Sequence, residues 1–473
     1  MRVTRIRVLT LFGVLLLAGC AVRRYHSAPI VPSESASRFE SRSFADPGLE
    51  AYFEKNLGQR VTPWPPKTWV LQTLSLASLY FNPTLDAARA RVEEAQAAAV
   101  TAGARPNPTL NIAPGIPSPY LLTLDFVVPI ETAGKRGHRI QVARGLDQAA
   151  RFDLADAAWK VRSGVRMALL NYLLASRSLD LLRCEESVRH EQVSLLEQRF
   201  AVGEIPRPDV DRTRIELSRT HLAISTAEGQ IAEAKAALAA SIGIPVAGLQ
   251  GLNFSWADLD SPPSADSLSP EQIQRDAVLN RLDVRRALAQ YATAEADLQL
   301  EISKQYPDVQ IGPGYTYEEK NNFFTVGLST TLPIFNRNQG PIAEAEARRK
   351  EAAATFLEKQ AQVIAGSERA LALYVAALKE LAEADESLRK LHDAHLQMME
   401  QAVRLGEEDR LSLNTVQIES SIVARVRLDA LARAQSALGE LEDAVQRSLD
   451  PGDRFPISHE SPALNKLPQE PNR

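Results

Sequence analysis

The chain has 473 residues, with 54 lysines and arginines against 59 aspartates and glutamates, a formal net charge of −5. That length allows two to four domains, and the acidic balance lacks the basic footprint that nucleic-acid binding requires. With two cysteines, Cys20 and Cys184, a disulfide scaffold is excluded as well.

In chain order, Arg2, Arg5 and Arg7 precede an apolar run from Val8 to Ala18, the charge-then-apolar layout of a secretory signal. The run falls short of the roughly 20 apolar residues of a membrane helix. It ends in Leu17-Ala18-Gly19-Cys20, which resembles the lipobox of bacterial lipoproteins. The resemblance implies removal of residues 1–19 and lipid modification of Cys20. Ala21, standing where an Asp would signal inner-membrane retention, implies transfer to the outer membrane. The three arginines lost with the signal leave 54 less three, or 51, basic side chains against 59 acidic ones. Cys184 is then the one free thiol. No later stretch is long and apolar enough for a transmembrane helix, so any further crossing must use strands. Residues 20–68, rich in Ser, Pro and Arg, are expected to form an extended tether.

An internal repeat organises the rest. Pro108-Thr109-Leu110-Asn111-Ile112-Ala113-Pro114-Gly115 aligns with Pro307-Asp308-Val309-Gln310-Ile311-Gly312-Pro313-Gly314. Val128-Pro129-Ile130 aligns with Leu332-Pro333-Ile334, Val202-Gly203-Glu204 with Leu405-Gly406-Glu407, and Glu216 with Glu419. The common order and near-constant spacing mark a duplicated unit of about 200 residues, longer than solenoid repeats. The first repeat is placed at 69–242, a linker or belt at 243–270, the second repeat at 271–449, and a polar, proline-containing tail, expected to be disordered, at 450–473.

Each half reads helix, strand, strand, long helix, tight turn, helix. Helices are expected from about Leu71 to Ala104 and from about Arg139 to Val202, the second long enough to indicate a coiled coil. Val210, Leu217, Ile224, Ile231 and Leu238 recur every seven residues. In the second half Leu381, Ala384, Leu388, Leu391, His395, Met398, Ala402 and Leu405 alternate steps of three and four, also a heptad pattern. Strands are expected at about 108–117, 120–130, 307–317 and 322–334. Leu122, Leu124, Phe126 and Val128 alternate with polar residues, as do Val309, Ile311, Tyr315 and Tyr317, and as do Phe324, Val326 and Leu328, the period of membrane β-strands. Four strands cannot close a barrel, since such barrels start at eight.

The fold class is therefore mainly α with a small membrane β part, a duplicated unit of long coiled-coil helices plus two β-hairpins. With Pro129-Ile130-Glu131-Thr132-Ala133-Gly134-Lys135-Arg136-Gly137-His138-Arg139 and its counterpart from Leu332 to Gly340, the layout resembles the TolC-like outer-membrane efflux proteins over residues 69–448. Within them it is most similar to the branch associated with cobalt, zinc, cadmium and copper efflux. The resemblance implies a homotrimer with a shared 12-stranded β-barrel, four strands from each of three chains, and a periplasmic helical tunnel. It implies a passive exit duct, with heavy-metal cations among its candidate cargoes. The partners it implies are a periplasmic adaptor, an inner-membrane pump of the resistance-nodulation-division type and outer-membrane lipids.

The same resemblance places adaptor docking at two turns, Val202-Gly203-Glu204 and Leu405-Gly406-Glu407, with Glu408, Asp409 and Arg410 as candidates for lining a narrow entrance. Physically, Gly203 and Gly406 suit left-handed C-caps, and Asp209 and Ser412 suit N-caps. Some relatives carry acidic rings beyond the second turn, where this chain has Ser412, Asn414 and Thr415. Lys135, Arg136 and Arg139 either fix the strand–helix joint, meet the lipid surface, or form a solvated basic turn. His395 and Met398 fall on the heptad seam with His392 beside it, so core packing is expected to account for them and no metal site is assigned. No Cys pair, HExxH or phosphate-cradling motif is present, and Gly312-Pro313-Gly314 lies in a strand, so neither catalysis nor a cofactor is expected. The competing classes are a periplasmic adaptor lipoprotein, which needs one hairpin between β-rich halves, and a lipid-anchored coiled-coil scaffold without a channel.

Overall fold

The computed structural model describes residues 23–116 and 120–449. The signal segment, Cys20 and the 450–473 tail lie outside them. Contacts divide the chain into Met1–Arg42 and Ser43–Arg473. The first unit contains helix α1 (Pro32–Glu40), which buries none of its residues.

The second unit begins with a departure from the expected tether. Helix α2 (Pro47–Leu57) starts where Asp46 Oδ1 accepts the N–H groups of Gly48 at 2.7 Å and Leu49 at 3.3 Å, a side-chain N-cap. It buries Leu49, Tyr52 and Phe53. Phe44, Phe53, Trp64 and Trp69 then stack edge-on or tilted within one core cluster. Aromatic burial of this size outweighs the turn-rich composition that suggested an extended segment. Strand β1 (Thr68–Trp69) pairs in parallel with β4 (Asn253–Phe254) of the inter-repeat linker.

The helix expected over 71–104 divides into α3 (Leu71–Phe81) and α4 (Pro83–Ala102). Pro83 disfavours helical geometry at the residue before it, and Asn82 is extended, with ψ 118°. Its side chain caps Thr84 N–H at 3.0 Å and donates to Ser241 O at 3.0 Å. After strands β2 (Thr109–Gly115) and β3 (Leu121–Ile130) comes α5 (Lys135–Ala201), 67 residues and roughly 100 Å long. Helix α6 (Arg207–Ile242) returns along it. The second repeat follows the same order through α7 (Pro270–Asn280), α8 (Leu282–Ser303), β5 (Val309–Glu318), β6 (Asn321–Thr330), α9 (Gln339–Glu383), a π-helical turn (Ala384–Arg389), α10 (Lys390–Leu405) and α11 (Arg410–Val445). The return helices α6 and α11 are both 36 residues long, as a duplicated unit requires.

The first heptad seam packs as read: Val210 and Leu238 are buried, and Ile224 and Ile231 pack against Leu179 and Leu182. The second seam does not. Leu381 and Ala384 are buried, whereas Leu388, Leu391, Met398 and Leu405 are exposed, Leu391 by 73% and Met398 by 64%. The π turn between them supplies the reason. It spends one residue more than an α turn, which rotates everything downstream by roughly 100°. The inward positions of α10 become His392, Leu396, Met399 and Val403, each half-buried and each one residue beyond the expected seam. Core packing therefore does not account for His395 and Met398.

The four long strands form one antiparallel sheet in the order β2-β3-β5-β6. Its register places Leu110 opposite Phe126, Ile112 opposite Leu124, Leu124 opposite Tyr315, Val128 opposite Ile311, Tyr315 opposite Phe324 and Ile311 opposite Leu328. Most large apolar residues of the four strands thus share one face, while Asn111, Asp125, Thr316, Thr325 and Ser329 share the other with Leu121, Val127 and Phe323. The last strand ends at Thr330, so Leu332 and Ile334 lie beyond it. Among the described residues nothing pairs with the outer edge of β2 or of β6, and no helix is long and apolar enough to cross a membrane.

Leu328 and Ser329 are neighbours on opposite faces, and they test this register against lipid. An arginine on a lipid-facing strand costs about 2–4 kcal/mol at the membrane midplane. Leu328→Arg is expected to reduce the assembled protein recovered from outer membranes several-fold, while Ser329→Arg leaves it near the parental level. Equal recovery of the two variants contradicts the assignment of faces.

Candidate functional site: the paired helical turns

The turn between α5 and α6 is built by a complete Schellman motif. Glu204 N–H donates to Arg199 O at 2.9 Å and Gly203 N–H to Phe200 O at 2.9 Å, with Gly203 at φ +79°. The turn between α10 and α11 repeats it. Glu407 N–H donates to Ala402 O at 2.9 Å and Gly406 N–H to Val403 O at 3.1 Å, with Gly406 at φ +77°. Both glycines hold the left-handed cap expected of them, a conformation that penalises any Cβ. A Cβ at either position meets open space.

The N-caps differ from expectation. Helix α6 starts at Arg207 after Pro206, so Asp209 lies inside its first turn. Helix α11 is capped by Asp409, whose Oδ1 accepts Ser412 N–H at 2.8 Å. Ser412 is therefore the donor to the cap. The proline at the equivalent place in the first repeat needs no partner for an N–H it lacks.

Asp409 does more than cap. Its other carboxylate oxygen pairs with Arg199 at 2.6 Å, and Arg410 pairs with Glu191. Arg214 of α6 pairs with Glu197 of α5 at 2.5 Å. These ties bring the two turns, one from each repeat, to the same end of the rods. The Ser412 N–H and the Arg199 guanidinium hold the Asp409 carboxyl down at about 2 from the ordinary 3.8. A depressed acid contributes its stabilisation above its unfolded value, so the tie is complete above pH about 4 and lost as pH falls toward about 2. Both partners are partly exposed, so solvent screening keeps the pair weak. Of the three residues expected to line an entrance, Asp409 and Arg410 are engaged in cross-repeat pairs, and Glu408 is exposed. Beside them Phe200, Val202 and Leu405 expose apolar side chains. Glu191, Glu197, Arg199 and Arg214 went unremarked in the sequence because nothing distinguishes them from the many charges on a rod's flank.

At the other end of α5 the basic residues fix the joint. Lys135 is buried, and its Nζ donates to Tyr306 O and to Asp308 Oδ1, each at 2.6 Å. Thr132 donates its N–H to the same Asp308 oxygen at 3.0 Å and its hydroxyl to Pro307 O at 2.8 Å. Arg139 forms a two-pronged pair with Glu131, and Arg136 donates to Gly103 O at 2.6 Å. The start of the first rod is thereby bonded to the segment that leads into β5 of the second repeat. In the second repeat Asn338, at φ +64°, donates to Glu301 O at 2.8 Å and to its Oε2 at 2.9 Å.

Two long helical hairpins, each carrying a β-hairpin that joins one common sheet, make up the architecture to which the comparisons apply. Residues 77–244 match the family described as outer membrane efflux protein. The chain is 28% identical over 270 residues to the cobalt-zinc-cadmium resistance protein CzcC of Cupriavidus metallidurans, a match spanning 56% of this chain and 63% of CzcC. It is 26% identical over 332 residues to the pyoverdine export outer membrane protein OpmQ of Pseudomonas aeruginosa, spanning 64% of this chain and 69% of OpmQ. Crystal structures of CusC, which describe conformational changes accompanying folding and transmembrane channel formation, superpose with a TM-score of 0.63 at 18% identity, over 79% of this chain and 91% of CusC. The family match covers residues 77–244, and the match to CzcC spans 63% of that relative's length.

Proposed function

We propose that the chain is the outer-membrane duct of a tripartite efflux system, a passive exit path through periplasm and outer membrane. The observation that carries this reading is the sheet, with most of its large apolar residues on one face, a more polar second face, and no partner among the described residues at either edge. Hydrocarbon tolerates no open sheet edge, and four strands are too few for a barrel. Copies of the chain that pair β2 of one with β6 of the next satisfy both conditions, and three copies give 12 strands. The name of CzcC makes heavy-metal cations the first cargo to test. Cys20 carries the lipid anchor on this reading, and Cys20→Ser abolishes labelling by a fatty-acid probe; a labelled variant contradicts the anchor alone.

The paired turns are the docking point for a periplasmic adaptor, itself coupled to an inner-membrane pump of the resistance-nodulation-division type. Two Schellman turns held side by side by Arg199–Asp409, with Val202 and Leu405 exposed beside them, offer a partner helix both an apolar patch and close backbone approach. Gly406→Trp fills the space above the cap without touching the rod. The left-handed cap costs the variant roughly 1 kcal/mol, which Gly406→Ala shares without the bulk. The expected result is that both variants assemble in the outer membrane, while Gly406→Trp alone loses export and adaptor crosslinking at least tenfold. Normal export and crosslinking in Gly406→Trp overturn the docking assignment.

A further inference from the structure

The π turn that rotates α10 also assembles a group of side chains that the helical packing does not use. His392 and His395, three residues apart on α10, and Glu419 on α11 each offer a ligand atom, and these atoms all lie within 4.8 Å of one another. A tetrahedral centre with bonds of 2.0–2.1 Å needs its ligand atoms about 3.4 Å apart, a closure within reach of side-chain rotation since His395 and Glu419 are exposed. His392 is half-buried and already oriented, its Nε2 standing 2.7 Å from Ser420 Oγ. Metal-binding imidazoles characteristically engage their second nitrogen in such a bond. Two neighbouring cations are paired with other acids: Arg389 with Asp385 at 3.1 Å and Asp393 at 3.9 Å, and Arg427 with Asp385 at 2.5 Å and Asp260 at 3.5 Å. The Glu419 carboxylate can therefore meet a cation.

The duplication supplies a comparison within the molecule. At the repeat-equivalent positions, 203 residues earlier, the first half carries Arg189 and Gln192 beside Glu216. Arg189 there pairs with Glu185 at 2.8 Å, and Glu216 with Arg219 at 2.7 Å. The same rod is thus built in the first repeat from ordinary ion pairs, and the histidine pair is not something the architecture demands.

We propose that His392, His395 and Glu419 form a binding site for a divalent transition-metal cation. Two imidazoles and one carboxylate are the donor set that zinc, cobalt and nickel favour over calcium or magnesium. Three protein ligands leave at least one coordination position to water. It stands independently of which cargo the duct exports, because binding is read on the purified protein.

The test uses Co²⁺ as probe on the full detergent-purified chain, reading visible d–d absorption and equilibrium dialysis. The expected result is one tightly bound Co²⁺ per chain with absorption typical of nitrogen and oxygen ligands, displaced by Zn²⁺. His395→Ala and Glu419→Gln are expected to weaken binding at least tenfold, with helicity unchanged, while His221→Ala, at a histidine paired with Glu186, leaves it intact. Absence of Co²⁺ binding overturns the proposal. So does binding that survives the His392→Ala/His395→Ala double variant, or that is lost with Cys184→Ser instead.

Discussion

An unpaired strand edge cannot rest in hydrocarbon, because each backbone N–H and C=O left without a partner there costs several kcal/mol. This chain presents two such edges, on β2 and on β6, bounding a sheet whose register gathers Leu110, Phe126, Tyr315 and Leu328 on one face. Alone, the sheet satisfies neither its edges nor its apolar face. Both demands are met together if neighbouring copies continue the sheet around a closed barrel. The sheet's alternation and its two unpaired edges answer to that one requirement.

The duplication explains how so small a sheet carries such long helices. Each repeat contributes one hairpin of strands and one hairpin of helices, so the two rods leave the sheet side by side. Lys135 and Thr132 converge on Asp308 and bond the first rod to the strand entry of the second repeat. About 67 residues further on, Arg199 and Asp409 bond the repeats again. Between these points α5 and α6 pack Leu179 and Leu182 against Ile224 and Ile231, and the seam also buries Glu185 beside Thr220.

Much of this was legible from the amino-acid order. Strand faces follow from a period of two, which is a property of the backbone, so Leu122, Leu124 and Phe126 could be placed before any register was known. Gly203 and Gly406 announced their caps because few other residues tolerate the left-handed conformation. The π turn was not legible. Leu388, Leu391, Met398 and Leu405 make one heptad stripe, and Leu396, Met399 and Val403 make another one residue out of phase, so the sequence supports both. Packing against α11 decides between them. The segment before Trp69 was misread for a related reason: its prolines and serines dominate the composition, while the burial of Phe44, Phe53 and Trp64 depends on a core built by residues far along the chain. The ties of the turn region were hidden by abundance, since Glu191 and Arg199 sit among many charges of equal prominence.

If other copies of the same chain complete the sheet, the mass of the extracted particle reports it directly. Native mass spectrometry of the protein extracted from outer membranes in mild detergent should give an assembly of three chains that survives until the detergent micelle is stripped. A particle of one chain under those conditions, with the sheet still folded, would contradict the account.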